Sequence, residues 1–365
     1  MTTFLFFLPF LLLYAVVAIY AERKVSAFIQ DRVGPMEVGR YGLLQTIADL
    51  LKLLQKEDIV PAAADKKLFR LSPVLIFTAV FSGFSVIPLA AGWSGAGIET
   101  GVFFLLAIVS LDVLGILMAG WGSNSKFSLY GAMRSVAQII SYEVPLGLSV
   151  LAVVMICQSL DLQQISWQQS VWYHSLPQSE TQYLFGLRHT GIDVSQVGGI
   201  LTWNIMRMPL LLIAALIFFI ASLAECNRAP FDLPEAESEL IGGFHTEYSG
   251  FRWAMVMLSE YGMMLLVSFL GAVLFWGSWN TPLPNIGSLE LAYWTSGTPG
   301  TISGIAWGGF WLCSKALLTV LIQMWIRWTY PRLRVDQLMS LCWKYLTPAA
   351  ILIILAAGVW RLWMI

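Results

Sequence analysis

Long apolar runs alternate with shorter polar segments along the whole chain. A helix needs roughly 17–25 mostly apolar residues to cross a bilayer. Runs of this kind recur at 3–21, 73–91, 102–121, 139–160, 205–224, 253–276, 305–326 and 345–363. The pattern predicts an all-α polytopic membrane protein with eight transmembrane helices, built as a single membrane domain over residues 1–365.

Composition and charge agree with this class and suggest an orientation. Hydrophobic residues make up 58% of the chain and charged residues 12%, whereas a soluble domain is about one quarter charged. The loop at 22–70 carries nine Lys and Arg residues, and the polar loop at 161–203 carries one, Arg188. By the positive-inside rule, the first loop is on the inner side, and both termini are expected on the outer (periplasmic or intermembrane) side.

The second half of the 22–70 loop has the spacing of an amphipathic helix. Leu43, Ile47, Leu50 and Leu54 share one face, while Asp49 and other polar residues take the opposite face. The segment is too short to span a bilayer, so it should lie along the membrane interface. The pattern alone fits two roles equally well: a simple surface anchor, or a prop that holds open a lateral entrance for a lipid-soluble ligand.

A second inner loop, at 225–250, is unusually acidic and lies between two apolar runs. The stretch from Ala224 to Tyr248 carries six carboxylates and one cation, Arg228; the acids are Glu225, Asp232, Glu235, Glu237, Glu239 and Glu247. Crowded carboxylates beside a low dielectric cannot all ionise cheaply, so some pKa values should rise and the groups should titrate as a coupled set. The alternative is an acidic loop fully exposed to solvent.

Ionisable residues also fall within the predicted spans. Each costs at least about 2.5 kcal/mol at the centre of a bilayer, and such residues commonly mark ion or proton paths. Glu143 and Glu260 lie toward the acidic loop, which favours proton transfer. For Asp112 and Arg207, a pairing that assembles the helices explains the pattern as well as a function does.

The sequence offers little for a metal centre. The four cysteines are far apart, with no C-x-x-C spacing, and the three histidines (His174, His189 and His245) lie outside the predicted spans. We therefore expect no iron–sulfur, zinc or haem site, and no metal or flavin held by this chain. The outer loop at 161–203 receives no chemical role.

Six segments resemble one known family. They are ERKVSAFIQDRVGP, GLLQTIADLLKLLQKEDIVP, AGWGSNSKFSLYGAMRSVAQIISYEVPLGLS, AECNRAPFDLPEAESELIGGFHTEYSGFRWAM, SEYG and WIRWTYPRLRVDQLMSLCWK. In this order, they resemble the quinone-chamber membrane subunit of respiratory complex I, the NuoH or mitochondrial subunit-one family. They cover well over a third of the chain, and the acidic loop and the PRLRVDQLM segment are the most specific.

The resemblance implies a function and partners. The chain would be a membrane subunit of a proton-pumping NADH:quinone oxidoreductase, with quinone as the substrate. The first span, the amphipathic helix and the sixth span would frame a lateral entrance to a quinone tunnel. The quinone head group would react against a soluble subunit. Expected partners are the soluble quinone-site and iron–sulfur subunits, antiporter-like and small membrane subunits, and lipids, with no nucleic acid.

The resemblance also carries residue roles. Proton-coupling carboxylates are expected at Glu143, Glu225, Glu235, Glu237, Glu239, Glu247 and Glu260. Tunnel and interface positions are expected at Arg23, Arg32, Asp49, Lys52, Arg228, Asp232, Arg327, Arg332 and Arg334. The sequence departs from the family at Met36, Glu37 and Arg40, and Asp112 has no counterpart expected in the family.

Two alternatives remain open at this point. One is the homologous membrane subunit of a membrane-bound hydrogenase, which shares part of the acidic pattern. The other is a stand-alone secondary transporter, which should show inverted repeats with broken helices; none is visible in this sequence.

Overall fold

The computed structural model describes residues 2–173, 183–187, 191, 193–194, 197–234, 241–286 and 289–364, with the side chains of 2–6 and 363–364 left aside. The described chain is mainly helical. Its helices are α1 (Thr2–Ile29), α2 (Gln45–Gln55), α3 (Lys66–Gly83), α4 (Gly101–Gly122), α5 (Lys126–Cys157), α6 (Leu162–Trp167), α7 (Asn204–Arg207), α8 (Leu211–Glu225), α9 (Gly250–Leu274), α10 (Leu291–Ser296), α11 (Ile302–Thr329), α12 (Val335–Ser340) and α13 (Thr347–Met364).

Shorter elements join these helices. Strands β1 (Pro88–Ala90) and β2 (Trp93–Ser94) pair antiparallel. Single 3₁₀ turns occur at Arg40–Gly42, Phe84–Val86, Leu184–Gly186, Gly199–Thr202 and Gly243–His245, and a π-helical turn, Leu341–Leu346, joins α12 to α13.

Six helical segments of the described chain are long and apolar enough to cross a membrane. They are Lys66–Val86, Gly101–Gly122, Lys126–Cys157, Gly250–Leu274, Ile302–Thr329 and Val335–Leu362. α1, with 28 residues, covers the predicted run at 3–21, and α8, a shorter apolar helix, covers only residues 211–224 of the run at 205–224. The predicted polytopic helical class is confirmed. The count of eight spans and the side of the termini stay predictions.

Two of the predicted spans are not a single continuous α-helix over the predicted run. The run at 73–91 stops being helical at Gly83, and its last part forms a 3₁₀ turn and β1. The run at 205–224 is split, because Pro209 lacks an amide hydrogen and disfavours helical geometry in the residue before it. Met208 is accordingly extended, with φ −139° and ψ 105°. Arg207 therefore ends α7 and lies outside α8, contrary to the prediction.

α9 is the most enclosed of the six candidate spans. Of its apolar window, 83% is buried, against 22% for α11. It contacts α1, α3, α8 and α11, so several helices pack around it. This central position lets α9 bring functional side chains to more than one cavity.

Small residues allow α3, α4 and α5 to approach closely, as is common between membrane helices. A Cβ on Gly115 would meet Ile76 of α3, and one on Gly120 would meet Ala132 of α5. Gly131 of α5 fits against the backbone of Gly243 and Phe244. α5 therefore packs directly on the end of the acidic loop.

We expect Gly131→Ala to destabilise the protein by about 1–3 kcal/mol, because the added Cβ would overpack against rigid backbone. It would lie 2.8 Å from the carbonyl carbon of Gly243. Gly147→Ala, on the same helix, is the matched control, since no atom lies within 4 Å of its Cβ. Thermal unfolding of the purified protein in detergent, followed by tryptophan fluorescence, measures both. Equal midpoints would contradict this packing.

Candidate functional site

A large cavity, which we call the entrance cavity, lies between α1, α2, α9 and α11. Its volume is about 770 Å³. Most of its lining is apolar, with α1 contributing Leu12 and Val16 and α2 contributing Leu50 and Leu54. The predicted amphipathic segment is helical as α2, and part of its apolar face forms this wall.

One end of the entrance cavity is charged and is organised around Glu22 of α1. This side chain is only 8% exposed, and the Nη1 atom of Arg228 lies 3.3 Å from its Oε1. Arg327 of α11 donates to the same oxygen, and the Tyr261 hydroxyl of α9 donates to Oε2 at 2.5 Å. The Arg228 guanidinium also covers the Tyr261 ring at 4.5 Å. One buried carboxylate thus joins α1, α9, α11 and the acidic loop.

A second ion pair holds α2 against α1. Arg23 donates to Asp49 at 2.6 Å, and Gln45 donates to the other Asp49 oxygen at 3.0 Å. Arg23, Asp49 and Arg32 all line the entrance cavity. Lys52 is exposed and is not one of the described lining residues.

The start of the acidic loop is fixed to the segment that follows α11. Arg332 donates to Asp232 at 2.9 Å, and the backbone amide of Leu333 donates to the Pro230 carbonyl at 3.1 Å. Arg334 is exposed and immediately precedes α12. The two segments that carry the most specific resemblance therefore touch each other.

α5 holds the same loop from the opposite side. The Gln138 amide nitrogen donates to the carbonyls of Ala224 and Phe231, each at 2.7 Å. Ser128 donates to the Phe244 carbonyl at 2.8 Å. These buried hydrogen bonds tie α5 to the end of α8 and to the loop, which helps to define the loop conformation where it borders the helices.

A second, much smaller cavity lies beneath the loop, and we call it the acidic cavity. Its volume is about 20 Å³, and its lining includes Asp112 of α4, Glu225 of α8 and Glu260 of α9. Glu225 is 5% exposed. Its Oε2 atom has no hydrogen-bond partner among the described residues. Cys226 follows Glu225, and burial raises the pKa of its thiol well above the usual value.

The remaining predicted coupling carboxylates are not all part of this cavity. Glu143 of α5 accepts a hydrogen bond from Ser110 of α4. Glu247 is partly exposed in the short segment before α9. The predicted positions Glu235, Glu237 and Glu239 lie outside the described residues.

The expected alternative of an Asp112–Arg207 pair is wrong. Asp112 faces the acidic cavity, whereas Arg207 donates to Gln168 at 3.1 Å, next to the outer loop. The break at Pro209 leaves Arg207 outside α8, beside Gln168 and not beside Asp112. Lys315 of α11 is also on this side, where it donates to the Ser278 carbonyl at 2.9 Å and lies over the Trp203 ring.

Sequence reasoning missed Glu22 and Tyr261. Glu22 begins the cluster Glu22-Arg23-Lys24, whose basic residues indicate the inner flank of a span. Tyr261 follows the conspicuous Glu260. The available signal was a lone acid at a positively charged helix end, but its partners lie more than 200 residues away along the chain.

Among the described residues, no group of three or more His, Cys, Asp or Glu residues could hold a metal ion. His245, in the 3₁₀ turn of the acidic loop, is largely buried, and burial lowers its pKa from the ordinary value of 6.5 to about 4. The charge of Asp232 acts in the opposite direction but does not outweigh burial. His245 is therefore neutral near pH 7.

Comparisons with known proteins show which family this sequence resembles. A family model described as NADH dehydrogenase matches residues 1–358. The chain is 63% identical over 360 residues to a relative from Cytophaga hutchinsonii, named as the H subunit, number 2, of NADH-quinone oxidoreductase. The match covers 99% of this chain and 98% of the relative.

More distant relatives carry similar names. The H subunit of NADH-quinone oxidoreductase from Chlorobaculum parvum is 48% identical over 354 residues, covering 97% of this chain and 90% of the relative. The protein of the same name from Bacillus mycoides is 43% identical over 356 residues, covering 95% and 91%.

The low pKa of His245 predicts an acid-sensitive loop. The neutral form is favoured in the folded protein, so its stabilising effect is full above pH 6.5 and is lost as pH falls toward 4. At pH 5 this one group should remove about 2 kcal/mol of stability. His245→Gln should lose less stability between pH 7.5 and pH 5 in thermal melts. Identical pH slopes for the two proteins would contradict the burial of His245.

Proposed function

The chain belongs to the NADH dehydrogenase family, and from that membership we propose how its two cavities work together. It is a membrane subunit of an NADH-quinone oxidoreductase and an integral, multi-pass protein of the bacterial membrane. Its entrance cavity is the access tunnel for quinone, and its acidic cavity belongs to the carboxylate chain that couples quinone reduction to proton translocation.

The observation that carries this proposal is the position of α9 between the two cavities. Glu260 lines the acidic cavity. Tyr261, the next residue, lines the entrance cavity, and its hydroxyl donates a hydrogen bond to Glu22. The acidic loop repeats this arrangement, since Glu225 faces the acidic cavity and Arg228 pairs with Glu22. The charged end of the entrance cavity is therefore separated from the buried acids by only one or two side chains, so a change of charge there can act on those acids.

The entrance cavity suits a lipid-soluble substrate. Its volume of about 770 Å³ lies within the roughly 300–1,000 Å³ typical of small-molecule sites. The apolar walls of α1, α2 and α9 accommodate a hydrophobic tail. The charged end around Glu22, Arg23 and Arg327 is oriented toward the head group. Lateral entry from the membrane passes α2, which lies along the interface.

Coupling works through electrostatics and proton transfer. Reduction of quinone creates negative charge and demand for protons near the charged end of the tunnel. At an effective dielectric of about 20, a unit charge about 10 Å away changes a site energy by about 1.7 kcal/mol, a little over one pKa unit. Such a change shifts the proton occupancy of Glu225 and Glu260. Glu143, which accepts a hydrogen bond from Ser110 of α4, belongs to the same carboxylate chain. The undescribed Glu235, Glu237 and Glu239 extend the same set.

The wider assembly follows from this role. The chain contacts soluble quinone-site and iron–sulfur subunits at the inner face, where Arg332 and Arg334 lie, and antiporter-like subunits within the membrane. α1 and α8 complete eight spans with both termini on the outer side. Quinone is the substrate, and this chain holds no metal or flavin of its own. The names of the relatives favour this enzyme over a hydrogenase or a stand-alone transporter.

Filling the entrance cavity should block quinone access. Ala254 of α9 lines the cavity, so Ala254→Trp places a bulky ring in the path of the substrate. We expect NADH:quinone reductase activity of the assembled enzyme to fall by about tenfold, equivalent to about 1.4 kcal/mol. Reduction of a hydrophilic artificial acceptor should be unchanged.

The control for this substitution is Leu355→Trp on α13, where the native side chain is 63% exposed and lies away from the cavity. It adds the same ring to an apolar surface and should leave quinone reduction unchanged. Normal quinone kinetics in Ala254→Trp would rule out this cavity as the access route.

Removing the charge of the buried acids should disturb coupling. Glu225→Gln and Glu260→Gln preserve side-chain shape but cannot release a proton, so quinone reduction and proton pumping should fall together by several-fold. Glu99→Gln, at an exposed acid before α4, is the control. Both activities are measured in liposomes that contain the whole enzyme. Unimpaired coupled turnover in both cavity variants would refute the proposed coupling role.

A further inference from the structure

We infer that Asp112 is an additional proton-exchanging carboxylate, linked to Glu225 and Glu260 by one water molecule in the acidic cavity. This inference rests on the proposed coupling function and adds a residue to it. The family resemblance assigns no acid at this position, so the inference depends on where this chain places the side chain.

The acidic cavity has the size and the polar groups that a single water requires. A buried water needs at least about 10–15 Å³ and two to four polar partners, and this cavity measures about 20 Å³. The Oδ1 atom of Asp112 and the Oε2 atom of Glu225 are both buried without a hydrogen-bond partner among the described residues. Glu225 is itself only 5% exposed and lines the cavity. A water between them would satisfy both oxygens.

The surroundings supply carboxylates and no neutralising charge. α3 and α4 contribute the apolar Ile76 and Ile116 beside Asp112, and α9 contributes Ser259 and Glu260. Among the described residues lining the cavity, none is Lys, Arg or His. Several carboxylates sharing a low dielectric without a cation cannot all be ionised, so protons must remain among them.

The remaining polar lining groups come from the acidic loop. Cys226 contributes a thiol, and Asn227 accepts a hydrogen bond from Gln138 of α5. Neither group carries a positive charge, so neither replaces a proton on the carboxylates.

α4 also connects this cavity to Glu143. Ser110, two residues before Asp112, donates a hydrogen bond to Glu143. Asp112 therefore lies on the helix that contacts Glu143 and also faces Glu225 and Glu260. Asp112 is thus on the helix that contacts the acid of α5, and it shares a cavity with the acids of α8 and α9.

The transfer itself is balanced. A protonated carboxyl gives its proton to the water, and the same water gives one of its own protons to the next carboxylate. One O–H bond breaks and one forms at the water, which is regenerated. The donor becomes a carboxylate and the acceptor a carboxylic acid, so no electron or further reactant is needed.

The test compares Asp112→Asn with Asp112→Glu in the whole enzyme, reconstituted in liposomes. Asp112→Asn keeps the shape but cannot release a proton, and it should lower proton pumping several-fold and change its pH profile. Asp112→Glu retains a carboxyl and should recover most of the pumping. Glu290→Gln, at an exposed acid before α10, should pump as the native enzyme does.

The outcomes separate this inference from the function on which it rests. Native pumping and pH profile in Asp112→Asn, with Glu225→Gln impaired, would overturn the role of Asp112 and leave the coupling function intact. Native pumping in both would overturn both. Equal loss in Asp112→Asn and Asp112→Glu, with less assembled enzyme, would assign Asp112 to structure only. In a map that resolves ordered waters, density between Asp112 and Glu225 supports the link, and a dry cavity refutes it.

Discussion

The buried carboxylate of Glu22 is the contact on which the rest of the site depends. It joins α1 to Arg228 of the acidic loop, Arg327 of α11 and Tyr261 of α9. Removing one partner of a buried ion pair costs about 3–5 kcal/mol, because the remaining charge is left uncompensated. Three of these elements, α1, α9 and α11, border the entrance cavity. The interactions of Glu22 therefore hold its charged end and three of the helices that frame it.

Much of the fold could be predicted because a membrane restricts the chain to apolar helices of a narrow length range. The apolar runs located the long helices, and the spacing of Leu50 and Leu54 located α2. The bounds failed where local chemistry overrode hydrophobicity. Pro209 splits a run that hydropathy alone treats as continuous, and that split moves Arg207 out of the span.

The site was predicted less completely, since its key contacts connect distant parts of the chain. Crowding of carboxylates and the family resemblance indicated Glu225 and Glu260, but neither signal revealed their neighbours. Glu22 looked like part of a basic helix end until its partners were placed around it. No sequence pattern distinguishes Gln138 within its helix. Its role in holding the acidic loop appears only in the structure, where its side-chain amide donates to the carbonyls of Ala224 and Phe231.

The contrast between the two cavities has a physical consequence. A large apolar cavity keeps the local dielectric constant low, so a charge created at its polar end acts strongly on the carboxylates on the other side of α9. A cavity of about 20 Å³ holds one water at most, which is enough to relay a proton but too little to connect the acids freely to bulk solvent. Under the proposed coupling, proton exchange among Asp112, Glu225 and Glu260 follows the reaction instead of equilibrating with the nearest aqueous phase. That separation is the condition that any pump driven by a neighbouring redox step must meet.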